Sequence, residues 1–212
     1  MVTLLLVRHG YSLANKENFF AGQKDIPLCD LGFKQAERVC DYIKSNFKVD
    51  AIYSSPLSRS VETVKALAQD LSIPLFLEED LKEVCGGEWE GKNFSDIEKN
   101  YSEYYTHWTK NKGVVCCPNG ESMQQAGTRA LKALEKICLN NDGKTLVIAS
   151  HGGVLRTIQC FLSNVGIENF NDVPWTPNAC ISIVEFDNGK FTPKVFGFTD
   201  HLKDLLTNLP NI

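Results

Sequence analysis

The stretch LLLVRHG at residues 4–10 decides the predicted fold class of this chain. Its apolar part has no polar alternation, which predicts a short strand buried on both faces of a parallel sheet. The run stops directly at Arg8, His9 and Gly10. Ligands of open α/β sheets bind just beyond the carboxyl ends of the strands, so Arg8 and His9 are expected in a binding site.

A second stretch of the same kind, TLVIASHGG, occupies residues 145–153. It again places an apolar run of strand length before a histidine and a glycine, here His151 and Gly152. Two strands that each deliver a histidine followed by a glycine are poorly explained as solvated strand ends. The carboxyl ends of parallel strands meet at one edge of a sheet, so we expect His9 and His151 to lie near each other.

Length, charge and hydropathy argue against several classes of protein. A chain of 212 residues can close the core of one large domain without disulfides or structural metals. Its formal net charge of −4 argues against nucleic acid as a partner, because phosphate backbones require clustered Lys and Arg. The apolar run at residues 2–7 is too short for a signal-peptide core, and no later run reaches the length of a membrane span. We therefore expect a cytoplasmic protein with no membrane partner.

The eight cysteines are a high count for a chain of this composition. They form no C-x-x-C pair, and the adjacent Cys116 and Cys117 are poorly arranged to chelate one ion. Several fall on predicted apolar helix faces or strands, where cysteine acts as a small buried hydrophobe. We expect reduced, structural cysteines and no metal site.

The remaining chain alternates predicted helices and strands. Asp30 is expected to cap a helix that follows it, and Ser55 with Pro56 is expected to open the next one. Residues 12–22 show no sustained period and are predicted as a loop. Helices are predicted at residues 31–47, 57–71 and 121–141, and strands at residues 51–54, 73–77 and 145–150.

The end of the chain carries a hairpin signal. Asn188 and Gly189 lie between apolar runs at residues 179–186 and 191–198, and Asn-Gly is a strong predictor of a two-residue turn. The predicted fold is therefore α/β, with a mostly parallel sheet and an antiparallel edge hairpin. We expect a single domain over residues 1–212, with a small aromatic helical cap at about residues 92–120.

Four segments are predicted to converge at the carboxyl ends of the strands. Their charged side chains are mostly cationic, in a chain that is acidic overall, and no pair of carboxylates or thiolates is placed to hold a metal. Such a site suits a phosphoryl group, whose oxygens arginine binds through paired hydrogen bonds. The converging residues are Arg8, His9, Arg59, Glu83 and His151, around a loop with Asn15 and Gly22.

These segments resemble the histidine phosphatase (phosphoglycerate mutase-like) superfamily. The resemblance covers residues 4 to about 202 in order, through the motifs LVRHGYS, SSPLSR, GES and SHGG together with Glu83. It implies a three-layer α/β/α sandwich and a phosphohistidine intermediate. His9 would be the nucleophile and Glu83 the proton donor, although spacing alone does not separate Glu83 from Glu88 or Glu90. The phosphate would be bound by Arg8, Arg59 and His151, with Asn15, Gly22 and Gly152 as further contacts.

A chemical mechanism follows from the charges. Nearby Arg8 and Arg59 would lower the pKa of His9 and keep its lone pair available at neutral pH. The same cations would stabilise the charge on the transferring phosphoryl group, the role that Mg²⁺ has in kinases. Glu83 would protonate the leaving oxygen and then take a proton from the attacking water. We expect turnover without a metal or other cofactor.

Two positions depart from the family pattern. Cys29 stands where the family usually has a threonine before the first long helix, which leaves the capping to Asp30, and Tyr11 replaces a common acidic residue. Mutases of this family carry a longer insertion with an arginine pair between the segment of the proton donor and the GES motif. The corresponding segment of this chain, residues 91–120, is short and contains no arginine. The aromatic side chains of this segment favour varied or apolar leaving groups and the broad-specificity phosphatase branch.

The expected substrate is therefore a small phosphorylated metabolite. Three alternatives stay open: a cofactor-dependent phosphoglycerate mutase, a phospho-ligand binding module that has lost turnover, and a phosphatase acting on phosphopeptides. The sequence carries no signal for an oligomeric state.

Overall fold

The computed structural model describes residues 1–207 and consists of one six-stranded sheet with helices on both faces. The strands are β1 (Val2–Arg8), β2 (Ala51–Ser54), β3 (Leu75–Leu77), β4 (Thr145–Ser150), β5 (Ile181–Asp187) and β6 (Lys190–Phe198). The helices are α1 (Leu13–Glu17), α2 (Asp30–Asn46), α3 (Ser58–Leu71), α4 (Phe94–Asn100), α5 (Ser102–Lys110), α6 (Met123–Leu139) and α7 (Gly152–Leu162).

The sheet has the strand order β3-β2-β4-β1-β5-β6. Strands β3, β2, β4 and β1 are parallel, and β5 and β6 form an antiparallel hairpin at the other end. The prediction of a mostly parallel sheet with an antiparallel edge hairpin is confirmed. Because Arg8 of β1 pairs with Ser150 of β4, the residues that follow them, His9 and His151, leave the sheet side by side.

The side chains of β1 alternate between the two cores of the protein, one on each face of the sheet. Leu4 and Leu6 belong to the core on the α6 and α7 side of the sheet, whereas Leu5 and Val7 belong to the core on the α2 and α3 side. All four are at most 2% exposed, so the strand is buried on both faces. The result is a three-layer α/β/α sandwich in which the central strands open onto one edge.

Two helix starts differ from the prediction. Helix α2 begins at Asp30 with Cys29 as its N-cap, and the cap makes no side-chain hydrogen bond, so the expected cap at Asp30 is wrong. Helix α3 begins at Ser58, two residues after Pro56. Ser55 precedes a proline, which disfavours helical backbone, and its Oγ accepts a hydrogen bond from the Leu57 amide at 3.3 Å.

Residues 12–22 are not wholly a loop. Helix α1 forms there because Ser12 and Asn15 make a reciprocal capping box: Ser12 Oγ accepts from the Asn15 amide, and Asn15 Oδ1 accepts from the Ser12 amide. With five residues the helix is too short to show a periodic pattern. The edge strand β3 is also shorter than predicted and begins at Leu75, after Pro74.

The segment between Trp89 and Lys112 forms the two short helices α4 and α5. The fully buried Trp89 ring contacts Trp108 at 5.2 Å and Tyr105 at 5.8 Å between centroids, which attaches α5 to the core. The single-domain assignment with a cap stays a prediction, and residues 208–212 of its range lie outside the described residues. All eight cysteines are free thiols, and no helix in residues 1–207 is long and apolar enough to cross a membrane.

Candidate active site

A pocket opens at the carboxyl ends of the central strands. Six of the eight sequence-predicted site residues line it, namely Arg8, His9, Asn15, Gly22, Arg59 and Glu83. The remaining two, His151 and Gly152, lie directly behind this wall: the His9 and His151 rings are 5.2 Å apart between centroids. Within residues 1–207, no group of three or more His, Cys, Asp and Glu side chains is placed to hold a metal ion.

His9 is held in one tautomer by the backbone. Its Nδ1 lies 2.7 Å from the Gly10 carbonyl oxygen, which can only accept a hydrogen bond, so Nδ1 carries the proton and Nε2 the lone pair. The ring is 4% exposed. Burial and the nearby Arg59 and Arg8 cations lower the pKa of His9 well below its usual value. His9 is therefore a neutral imidazole with a free lone pair at neutral pH.

His151 packs against His9 from the interior of the protein. Its Nε2 lies 2.8 Å from the Ser55 hydroxyl, and its Nδ1 is buried without a hydrogen-bond partner in residues 1–207. Burial, Arg59 and His9 lower the pKa of this ring well below its usual value. Next to it, Gly152 leaves room for Arg8: a side chain at this position would collide with the Arg8 guanidinium and the Trp175 indole.

Arg59 is a buried cation whose position is set by the loop after α1. Its Nη2 donates to the Gly22 carbonyl at 2.8 Å and its Nη1 to the Lys24 carbonyl at 2.9 Å, while Nε has no hydrogen-bond partner in the described part of the chain. Burial lowers its pKa to about 10, so the group stays charged at neutral pH. Gly22 has a φ of +51°, and a side chain there would collide with Glu90. Gly22 thus contributes its carbonyl to Arg59.

Arg8 lies at the end of β1 and is 5% exposed. Its Nη1 donates to the Thr176 carbonyl, and its guanidinium carbon lies 5.6 Å from the centre of the Trp175 ring. Burial lowers its pKa without making it neutral at pH 7, since arginine starts from a value of 12.5. Two guanidinium groups therefore bring fixed positive charge to the pocket that contains His9.

The structure distinguishes Glu83, Glu88 and Glu90, which sequence spacing alone leaves as equal candidates for the proton donor. Glu83 lines the pocket, and its carboxylate accepts from the amides of Val84 at 2.9 Å and Gly153 at 3.1 Å, the latter in the first turn of α7. Glu90 instead accepts hydrogen bonds from the backbone amides of Gln23 and Gly86. Glu88 bonds Tyr101 and Asn119 in the cap region. Of the three, Glu83 is the carboxylate on the pocket wall.

Asn178 and Thr63 support the site without having been predicted as site residues. Asn178 Nδ2 lies within 3.1 Å of both the His9 carbonyl and Asn15 Oδ1. Thr63 Oγ1 accepts from the Gly10 amide at 2.9 Å and donates to the Arg59 carbonyl at 2.7 Å. A signal for Asn178 was available: it lies three residues before β5, the antiparallel strand whose amino end lies at the carboxyl edge of β1.

The buried His9 and His151 imidazoles make the stability of the fold depend on pH. Their folded pKa values lie below the 6.5 of an ordinary histidine, so the unfolded chain binds more protons as the pH falls through 6.5. We expect the free energy of unfolding to fall in this window, by up to about 1.4 kcal/mol per pH unit for each ring. Urea unfolding at pH 7.0 and 5.5 measures this difference. In His9→Asn the difference should be smaller, and an unchanged difference would contradict a neutral, buried His9.

Comparisons with known proteins identify similar sequences and structures. The family model of the histidine phosphatase superfamily (branch 1) matches residues 4–199. Metal-independent phosphoserine phosphatase of Arabidopsis thaliana is 28% identical, over 95% of this chain and 84% of its own length. The Bacillus stearothermophilus YhfR structure superposes with a TM-score of 0.90 at 29% identity, covering 95% of this chain and 100% of that chain.

A further solved structure is phosphoserine phosphatase from Entamoeba histolytica in complex with 3-phosphoglyceric acid. It is 30% identical with a TM-score of 0.78 and covers 95% of this chain and 100% of that chain. The family model spans nearly the whole chain, including both histidine motifs and the residues between them. The chain is a member of the histidine phosphatase superfamily, branch 1.

Proposed function

We propose that this protein is a metal-independent phosphomonoester hydrolase that acts on small phosphorylated metabolites through a phosphohistidine intermediate. The observation that carries the proposal is the state of His9: a neutral ring with its lone pair on Nε2, in a pocket that also contains Arg8 and Arg59. Relatives named as phosphoserine phosphatases support hydrolysis over phosphoryl migration. Because all eight cysteines are free thiols, we also propose the reducing cytoplasm as its compartment.

In the first step, His9 Nε2 attacks phosphorus and the bond from phosphorus to the ester oxygen breaks. The negative charge of the phosphoryl oxygens is stabilised by Arg8 and Arg59, which are already held by backbone carbonyls and need little reorganisation. His151 completes this group in our proposal, since its ring lies beside His9 and its Nδ1 has no hydrogen-bond partner among the residues that the structure describes.

Glu83 supplies the proton for the leaving alkoxide. In the second step it accepts a proton from the water that attacks phosphohistidine, which releases inorganic phosphate and returns both groups to their starting states. The Gly153 and Val154 amides, at 3.1 and 3.3 Å, hold the carboxylate at the start of α7 and fix its orientation. The same group thus serves as acid and then as base.

The proposal is tested by measuring hydrolysis and phosphoryl migration in the same reactions. Phosphoserine, 3-phosphoglycerate and p-nitrophenyl phosphate are incubated with the protein, with and without EDTA, and both free phosphate and 2-phosphoglycerate are measured. We expect phosphate release that EDTA does not reduce and that exceeds isomerisation. Faster isomerisation would establish the mutase alternative, and tight binding without turnover would establish a binding module.

A further inference from the structure

Lys112 is a buried ammonium that the proposed phosphoryl chemistry does not use. It follows α5, is 8% exposed, and lines the same pocket as His9. Its Nζ lies 5.3 Å from the centre of the Trp108 ring. Among the ion pairs formed within residues 1–207, none involves Lys112, so the cation faces the pocket without a carboxylate from the chain. Lysine is almost never buried in this way unless it is paired.

A second cation lies close to Lys112. The Arg156 guanidinium carbon is 4.7 Å from the centre of the Trp175 ring and 4.4 Å from that of Phe170, and the Arg156 Nε donates to the Val173 carbonyl. Burial, and then Arg156, lower the pKa of Lys112 to about 8. Positive charge is therefore held here at a cost that an anion entering the pocket would offset.

The indole of Trp175 lies between this region and the phosphoryl region. Arg8 approaches the Trp175 ring at 5.6 Å and Arg156 approaches it at 4.7 Å. The pocket wall thus carries Arg8 and Arg59 near His9 and, separately, Lys112, while Arg156 contacts the Trp175 ring without lining the pocket. A substrate whose phosphate binds Arg8 and Arg59 would place its leaving group towards Lys112.

We infer that Lys112 is a specificity-determining residue that binds a carboxylate on the leaving group, so that the preferred substrates are small phosphomonoesters of hydroxy or amino acids. The inference rests on the proposed function and extends it to the substrate class. It narrows the expectation that the aromatic cap favours varied or apolar leaving groups, because the cap segment also places a charged group on the pocket wall.

The surroundings favour a carboxylate over a second phosphate. Lys112 lies among aromatic side chains, with Trp108, Phe94 and Phe20 on the same pocket wall. One ammonium balances one negative charge, and Arg156, which donates to the Val173 and Asn171 carbonyls, does not line the pocket. A phosphate dianion would leave charge unpaired against apolar surface, which is costly.

The test uses two substrates that differ only by the carboxylate, O-phosphoserine and O-phosphoethanolamine. In Lys112→Met, kcat/KM for phosphoserine should fall about 10- to 100-fold relative to phosphoethanolamine, mainly through KM, because a charged hydrogen bond to the bound substrate is lost. Lys112→Gln serves as a second variant of similar length. Lys110→Met, at an exposed position on α5, is the matched control and should keep the wild-type preference.

An equal loss on both substrates, or no loss, would overturn the inference while hydrolysis continued. An effect seen with 2,3-bisphosphoglycerate but absent with phosphoserine would also overturn it, since it would assign a second phosphate to Lys112. Failure of the proposed function is distinguishable, because none of these substrates would then release phosphate in a reaction that depends on His9.

Discussion

Replacing His9 with asparagine should lower phosphate release by about 10⁴- to 10⁶-fold, the loss typical of removing a covalent nucleophile. Asparagine can still donate to the Gly10 carbonyl from the position of the imidazole Nδ1, so the local backbone contact is kept. It has no counterpart of Nε2, where the attacking lone pair lies. Steady-state kcat/KM for phosphoserine and p-nitrophenyl phosphate measures the loss.

The matched control for His9 is His107→Asn, which makes the same chemical change at an exposed position on α5. This variant should retain wild-type rates. If His9→Asn kept more than about a tenth of the activity, the covalent route through His9 would be excluded, since removing a nucleophile costs several orders of magnitude.

Glu83→Gln should lower hydrolysis of phosphoserine by about 10²- to 10⁴-fold, the contribution typical of a general acid. Glutamine retains one oxygen, which in the Oε1 position can accept from the Val84 and Val154 amides, so two of the three hydrogen bonds that hold the side chain are kept without a transferable proton. An alkoxide leaving group needs that proton, whereas p-nitrophenolate leaves readily without it. In Glu83→Gln the rate of the phosphorylation step should therefore fall by a factor at least tenfold larger for phosphoserine than for p-nitrophenyl phosphate.

Glu88→Gln provides the comparison for Glu83, because Glu88 bonds Tyr101 and Asn119 away from the pocket wall. It should leave both substrates unaffected. Single-turnover measurements isolate the first step for all three proteins. An equal loss on both substrates in Glu83→Gln would argue that Glu83 only holds the α7 amides and does not donate a proton.

The sheet and the centre of the site could be predicted from sequence for one shared reason. Buried parallel strands appear as unbroken apolar runs, and a chemically reactive residue just after such a run falls at the carboxyl edge of the sheet. That argument places His9 and His151 together, and the structure has their rings 5.2 Å apart. Arg59 was predictable because it lies off the apolar stripe of α3, and it lines the pocket.

Other features depend on contacts that no local pattern records. Helix α1 is specified by the bonds between Ser12 and Asn15, and periodicity does not detect a helix of five residues. Lys112 is one of four lysines in residues 91–120, and its burial follows from packing against Trp108. The choice of Glu83 over Glu90 depends on which backbone amides each carboxylate meets, a property of loop geometry.

The central claim is that phosphorus is transferred to His9, and trapping the intermediate tests it most directly. The protein is mixed with a ³²P-labelled phosphomonoester, quenched in alkali, where phosphohistidine is stable, and digested for peptide mapping. We predict label on the peptide that contains His9, released by acid and absent from the His9→Asn protein. Phosphate release without labelled protein, or label on a different residue, would contradict the account.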